Sequence, residues 1–446
     1  MKRAAYEPSA QQIALAEEKR LHRQAKKLRQ VQESVPQTTA TKSRILARPW
    51  VSLVDGHSSD IGTQTVKVMT WNILAQCLVR SELFPTSDKA RKANEREPMI
   101  HAEVLSHDAD ILCMQEVDRL DKLLPMLQQA GYSHTYAAGP EKPHGCLIAY
   151  KKHMFQKVDA KVIQYDTEKV RQEGKVSLEA CIGSSHRTKN IGLVIALQRP
   201  DSTSAGYIVA TTHLFWHPAQ AGILLREVIA FQKSAQLQDW PCIIGGDFNF
   251  APDDPVYSLL VGDSMSDGQR HKLQISRVVH TSIDPTLHQS IELEADEGDG
   301  QEEADPDKII RNSRSARPSD GLLSDDELSS LFPYRLRSAY DEGQRKGRQK
   351  GLQNYVVTYG DRMSWPAVRL GAHEPMWTSY THYWKTTLDY IFIFDPANVR
   401  TEVTGYVQPH RTEDVAAGLP QIEICGSDHF SLCTQLATSP LHPAIT

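Results

Sequence analysis

The sequence predicts an α/β fold of four layers, two packed mixed or antiparallel sheets flanked by helices. Two observations carry this expectation. Short apolar strands alternate with helix-like stretches along most of the chain, so helices must cover the sheets. Polar residues stand at the exits of the early strands but at the entrances of the late ones. For these residues to meet on one edge, the late strands must run against the early ones, which excludes a doubly wound parallel sheet.

In chain order, residues 9–30 hold strong helix formers without Gly or Pro, but too few large apolar residues for a packed face. They read as a solvated basic helix, or as an arm that grips phosphates or directs the protein to the nucleus. Residues 34–62 read as a linker, making 1–63 an arm and linker and 64–440 the folded domain. Val66–Asn72 alternates apolar and polar residues as a half-buried strand does, and Asn72 stands at its exit. Residues 95–106 are helix-like and lead into Ile111-Leu112-Cys113-Met114-Gln115-Glu116-Val117, an apolar strand ending on an acid. Residues 121–129 follow as a helix, and 145–150, 192–197 and 207–213 as strands, the last closing on His213. A helix-like stretch beyond Pro218 then leads to Cys242-Ile243-Ile244-Gly245-Gly246-Asp247-Phe248-Asn249, where an apolar run meets two glycines and delivers an acid and an amide. The glycines permit a turn or a close approach of backbone. From about 264 to 330 periodicity decays into Asp, Glu and Ser, which reads as a disordered acidic insertion. Late in the chain, Asp389 opens Leu388–Phe394 and Asp428-His429 precedes Phe430–Cys433, each at a strand entrance.

Composition narrows the function. Of 446 residues 40% are hydrophobic and 24% charged, which fits a soluble protein with a large core. No apolar run approaches the roughly 20 residues of a membrane helix, and no apolar segment follows the first residues as in a secretory signal. Seven cysteines without zinc-like spacing read as core thiols in a reducing compartment, the cytoplasm or the nucleus. The net charge of −5 is segregated: eight Lys/Arg against three Asp/Glu in residues 1–30, and nine acids without a base in residues 291–307. A globally basic nucleic-acid binder is not indicated, so any such site must be local.

The strand-edge residues are Asn72, Glu116, His213, Asp247, Asn249, Asp389, Asp428 and His429. Singly, Asn72 could cap a turn, Glu116 pair with a lysine and His213 be a core imidazole. Together they are rich in oxygen donors and free of cysteine, a set that suits Mg²⁺ or Mn²⁺ better than zinc.

Six stretches in order, Met69-Thr70-Trp71-Asn72-Ile73-Leu74-Ala75, Met114-Gln115-Glu116-Val117, Thr212-His213-Leu214-Phe215-Trp216-His217-Pro218, Gly246-Asp247-Phe248-Asn249, Leu388-Asp389-Tyr390-Ile391-Phe392 and Gly426-Ser427-Asp428-His429, resemble the motifs of the endonuclease/exonuclease/phosphatase superfamily, whose fold is DNase I-like. The Asn-Ile-Leu-Ala and His-Leu-Phe-Trp-His-Pro stretches are most similar to the deadenylase branch with nocturnin, Angel and the fungal Ngl RNA exonucleases. The resemblance covers roughly 64–436. It implies Glu116 as the principal Mg²⁺ ligand, with Asn72 nearby and Asp428 acting through water. It further implies Asp247 and Asn249 orienting water and phosphate, His213 on the phosphoryl oxygens, and Asp389 orienting His429. By position Trp384 would stack on the 3′-terminal base, with Pro218 closing its other side and Asn249 also touching substrate. His144 departs from the pattern, standing where relatives often carry an acid, and no leucine-rich repeat precedes the domain.

The activity so implied is Mg²⁺-dependent 3′–5′ hydrolysis of RNA to 5′-mononucleotides, by a monomer acting on RNA 3′ ends without an obligate protein partner. Ribosomal RNA precursors or poly(A) are the expected targets. A phosphatase or phosphodiesterase on a small nucleotide, and an inactive RNA-binding scaffold, are the alternatives. The proton acceptor, Asp247 or His429, and the number of metals stay open.

Overall fold

The strands of the computed structural model are β1 (Trp50–Ser52), β2 (Gln64–Asn72), β3 (Ile111–Val117), β4 (Tyr132–Ala138), β5 (Gly145–Lys151), β6 (Gln156–Gln164), β7 (Ile191–Gln198), β8 (Gly206–His213), β9 (Cys242–Asp247), β10 (Val278–His280), β11 (Ser313–Ser315), β12 (Arg337–Ser338), β13 (Ser379–Tyr380), β14 (Lys385–Thr386), β15 (Asp389–Phe394), β16 (Val399–Val407) and β17 (Leu432–Pro440). The structure describes residues 44–54, 63–171, 181–182, 187–201, 205–215, 217–280, 284, 313–352 and 356–441. The basic helix expected at 9–30 and the acidic stretch 291–307 lie outside these residues.

Two sheets dominate, in the orders β1-β16-β17-β2-β3-β5-β4 and β12-β15-β9-β8-β7-β6. Each has one parallel pair, β2 with β3 and β8 with β9, and its other pairs are antiparallel. A parallel neighbour needs a crossover. Helix α1 (Ala93–Ser106) supplies it in the first sheet. In the second it is the longer of the next two helices in sequence, α2 (Leu120–Gln129) and α3 (Pro218–Ser234). The late strands run as the strand-end pattern requires: β15 lies antiparallel to β9, and β17 antiparallel to β2.

Side-chain alternation sorts the core into layers. Val66, Val68, Ile111 and Cys113 of one sheet meet Leu193, Ile195, Val209, Ile243 and Ile391 of the other. The intervening Met69, Trp71, Leu112 and Met114 pack outward with Val104 and Leu123 of α1 and α2. Val194, Ile208, Ala210 and Ile244 pack with Ile223, Leu224 and Val228 of α3. Both faces of the central strands are dry, which explains their near-continuous apolar runs. Gly245 sits where the two sheets approach closely, for a Cβ there would lie 3.1 Å from Thr70 Cβ and 3.2 Å from Cys113 Cβ. Close approach is thus the use of this glycine. The cysteines behave as core thiols with one exception, Cys77, which is exposed.

Two stretches expected to lie outside the fold contribute to it. In the residues expected as linker, β1 extends the first sheet as its edge, and the Arg48 guanidinium donates to Ser431 O at 2.8 Å and pairs with buried Glu103. Three residues are too short a strand for periodicity to reveal. After α4 (Pro255–Val261), the region expected as an acidic insertion holds α5 (Asp267–Ile275), the β10–β11 pair and α6 (Asp325–Ser330). Leu273, Leu323, Leu328 and Leu331 bury against Ala219 of α3. Four leucines spread over sixty residues dock the segment without producing a pattern. Among the described residues no helix is long and apolar enough to cross a membrane.

Candidate active site

The exits of the two parallel pairs and the entrances of the late strands meet on one edge. Strand β8 ends at His213, which pairs with Asp247 at the end of β9, and Asp389 faces Asp247 across the β15–β9 ladder. In the first sheet, the β3–β5 register breaks between Met114 and Val117, and Glu116 takes φ +57°. A bulge re-aims the residue it carries. A left-handed backbone is costly for a glutamate, so its surroundings must hold it there.

They do so by hydrogen bonds. Asn72 Nδ2 donates to Glu116 Oε1 at 2.8 Å and to Asp247 Oδ2 at 3.0 Å, bracing one carboxylate from each sheet. Its Oδ1 accepts from Leu74 N–H at 3.0 Å, and Ala75 N–H donates to Glu116 Oε2 at 2.9 Å. In this arrangement Asn72 presents nitrogen, not oxygen, to the two acids. Asn249, at φ +54°, donates its backbone N–H to Asp247 Oδ1 at 3.0 Å. Among the described residues its side chain has no hydrogen-bond partner.

The two histidines both approach Asp247 Oδ2. His213 Nε2 lies 3.6 Å from Asp247 Oδ2, and its Nδ1 3.7 Å from Glu116 Oε1. His429 Nε2 lies 3.8 Å from the same Asp247 oxygen, while its Nδ1 is 2.8 Å from Asp389 Oδ2. The last is a hydrogen bond; the others exceed hydrogen-bond length and leave the ring nitrogens available to a ligand. Trp71 Nε1 donates to His429 O at 2.8 Å, and Ser427 Oγ donates to Asn72 O at 2.7 Å while accepting from His429 N–H at 3.2 Å. Beside His429, Asp428 is buried with it.

Charge in this pocket is unbalanced. Burial raises the carboxyls of Asp389 and Asp428 to about 6, with Asp247 adding to the first and Glu116 to the second. Burial acts on Glu116 and Asp247 too, but His213 and the hydrogen bonds from Asn72 and the neighbouring backbone outweigh it and hold both below the ordinary carboxylate value. Burial opposes protonation of His429, yet the surrounding Asp389, Asp428 and Asp247 raise it well above an ordinary imidazole. Four buried carboxyls against two imidazoles and the buried Arg96 guanidinium leave excess negative charge, and among the described residues Asp389 Oδ1 is buried without a hydrogen-bond partner. A divalent cation fits that donor set, because buried charge is tolerated when paired or metal-bound. Oxygens of Asp247 and Asp389 and a nitrogen of His429 lie within 4.8 Å of one another, a second grouping able to hold an ion.

Sequence reasoning missed the supports. Arg96, 1% exposed on α1, donates to Gly426 O and Ile73 O at 2.7 Å each, to Leu74 O, and to Gln76 Oε1 at 2.9 Å. It ties the loop after β2 to the loop before His429. Thr378 Oγ1 accepts from Leu388 and Asp389 N–H at 2.8 and 3.0 Å, fixing the entrance of β15. The arginine lies on a helix whose pattern looks ordinary, so only the lack of an acid three or four residues away, where a helical partner would stand, could have flagged it.

Trp384 is half-buried beside β14, its Nε1 donating to Ser379 Oγ at 3.1 Å, and Ser379 bridges to His429. Pro218 is buried at the first turn of α3 and lines a cavity with Leu273, Leu323 and Leu328. His144 lines a pocket with Glu116, His213, Lys142 and Lys189.

A sandwich of two mixed sheets with acids, amides and histidines on one edge defines a class of metal-assisted phosphate-ester hydrolases. The Endonuclease/Exonuclease/phosphatase family profile matches residues 69–429, and the chain belongs to that family. It is 26% identical over 479 residues to RNA exonuclease NGL2 of Saccharomyces cerevisiae, covering 94% of this chain and 87% of that one. It is 30% identical over 352 residues to "Probable RNA exonuclease C9B6.11c" of Schizosaccharomyces pombe, covering 74% of this chain and 65%, just under two thirds, of that protein. The crystal structure of ANGEL2, a 2′,3′-cyclic phosphatase, with adenosine-2′,3′-vanadate superposes with a TM-score of 0.55 at 21% identity, covering 88% of this chain and 99% of that one. The last likeness establishes the DNase I-like fold.

Proposed function

We propose that this protein is a Mg²⁺-dependent 3′–5′ exoribonuclease that releases 5′-mononucleotides. The observation that carries the reading is the Asn72 brace, which joins Glu116 and Asp247 of opposite sheets, with His213 3.6 Å and His429 3.8 Å from Asp247 Oδ2. The names of the relatives support RNA as the substrate. Oxygen donors favour Mg²⁺, with Mn²⁺ as a substitute; Glu116 would hold it, with Asp428 through water, and it would polarise the phosphate and offset its charge.

The chain's own residues supply the rest. Asp247, kept ionised, accepts the proton of the attacking water, while Asn249 helps to orient water and phosphate. His429, kept protonated by Asp389, and His213 donate to the phosphoryl oxygens as charge builds there. The bond to the 3′-oxygen of the penultimate nucleotide breaks, that oxygen gains a proton, and a 5′-mononucleotide leaves. Trp384 holds the terminal base by stacking, which tolerates any sequence.

The test is hydrolysis of 5′-labelled RNA with free and blocked 3′ ends, alongside free nucleotides. Shortening from the free 3′ end with mononucleotide release, abolished by chelator and by His429→Ala, is expected. Activity unchanged by either treatment, or confined to free nucleotides, would overturn the reading. Ribosomal RNA 3′ ends are the first natural targets to map with and without the protein, and poly(A) the second.

A further inference from the structure

The β13–β14 hairpin joins the site to the surface. Besides the Ser379–His429 bridge, Tyr380 N–H donates to Asp428 O at 3.0 Å and Phe430 N–H to Thr378 O at 2.6 Å. The hairpin is therefore fixed to the segment, just before β17, that carries the site histidine. Its tip is built around buried Thr381, whose Oγ1 accepts from Tyr383 N–H at 3.2 Å and Trp384 N–H at 3.0 Å, and whose own N–H donates to Trp384 O at 2.8 Å. Gly418, at φ +87°, packs beneath: a Cβ there would lie 3.0 Å from His382 N and 3.2 Å from Thr86 Oγ1.

On this clamped backbone the rings behave differently. Trp384 is half-buried, edge-on to Phe84 with centroids 6.0 Å apart. Tyr383 is 50% exposed, and His382, also exposed, stands at 87° to it with centroids 4.8 Å apart. Their main chain is already ordered, so little freedom remains to be lost when a flat ligand covers the tyrosine. Every nucleobase has such a face.

We propose that Tyr383, backed by His382, stacks on the penultimate base of a single-stranded RNA 3′ end while Trp384 holds the terminal one. This rests on the exoribonuclease reading and sharpens it: the protein grips two successive nucleotides, so it favours RNA over free mononucleotides without selecting sequence.

The probe is an oligoribonucleotide with 2-aminopurine at the penultimate position, bound to the full-length protein in chelator so that nothing is cleaved. Binding quenches the 2-aminopurine in the native protein and in Tyr383→Phe. Tyr383→Ala loses the quench, weakens binding roughly tenfold and, with metal restored, raises KM while kcat is kept. An undiminished quench in Tyr383→Ala, or an equal loss of affinity for an oligonucleotide abasic at that position, overturns the proposal. A native protein that binds and quenches yet releases no 5′-mononucleotide overturns the exoribonuclease reading and supports the platform.

Discussion

The two sheets reach the site by the same device, a parallel pair joined by a helix, but they hold their side chains differently. In the first, Glu116 sits in a bulge with a left-handed backbone, both its oxygens accept hydrogen bonds, and buried Arg96 ties down the adjoining loop. In the second, His213 and Asp247 end strands in unbroken register, and the His213 side chain keeps 21% exposure. The side chain assigned to the cation is over-determined. The one assigned to the substrate is left room to adjust.

Four measurements press on that contrast. Glu116→Gln is expected to lower RNA hydrolysis about a thousandfold or more and to lower the melting temperature as well, since both its oxygens accept from N–H groups and an amide nitrogen cannot accept either bond; residual activity within tenfold of native would break the contrast. Arg96→Leu strands four acceptors at once, so denaturant unfolding should show a loss of about 3 kcal/mol or more, with weaker metal binding by calorimetry; the Arg96→Lys protein should recover only part of it. His213→Ala should lower kcat about a hundredfold and leave the melting temperature within about a degree, the opposite signature to Arg96.

The smallest effect concerns pH. The carboxyls of Asp389 and Asp428 rise to about 6 in the folded protein, above their ordinary value of about 3.9. Between about pH 4 and 6 the folded state therefore binds these protons more tightly than the unfolded chain, and stability in chelator should fall as the pH rises through that window. Mg²⁺ offsets the charge that then appears, so scanning calorimetry should show it raising the melting temperature by several degrees, roughly 3–6, at pH 7.5. At pH 5 the rise should be about half that or less. Equal rises at both values would mean that neither acid senses the cation.

The comparison also shows what a sequence makes visible. Asp247, Glu116 and His213 could be read because each ends an apolar strand, and the inverted placement of Asp389 and His429 gave the sheet direction. Arg96 was far harder to read, because three of its four partners are main-chain carbonyls, which leave no trace in residue identity. The docked segments around 264–330 did leave one: Ser266 with Gln269 and Ser324 with Glu327 form capping boxes at helix starts, a spacing readable in the sequence. Acidic composition masked them. The edge strand at Trp50–Ser52 had no comparable mark, since three residues cannot display alternation.

The place of β17 bears on how the protein is made. The last strand among the described residues lies in the interior of the first sheet, between β16 and β2. Until residues 432–440 have been synthesised, the strand that carries Asn72 has an open edge and His429 has no sheet to anchor it. The nuclease cannot be assembled progressively on the ribosome, and a nascent chain stays inactive toward the RNA around it until residue 440 has been made. Such non-local closure is slow and leaves strand edges exposed meanwhile. A chain ended before Leu432 should accordingly aggregate and lack activity, and a soluble, active truncation would show that β2 finds its partner elsewhere.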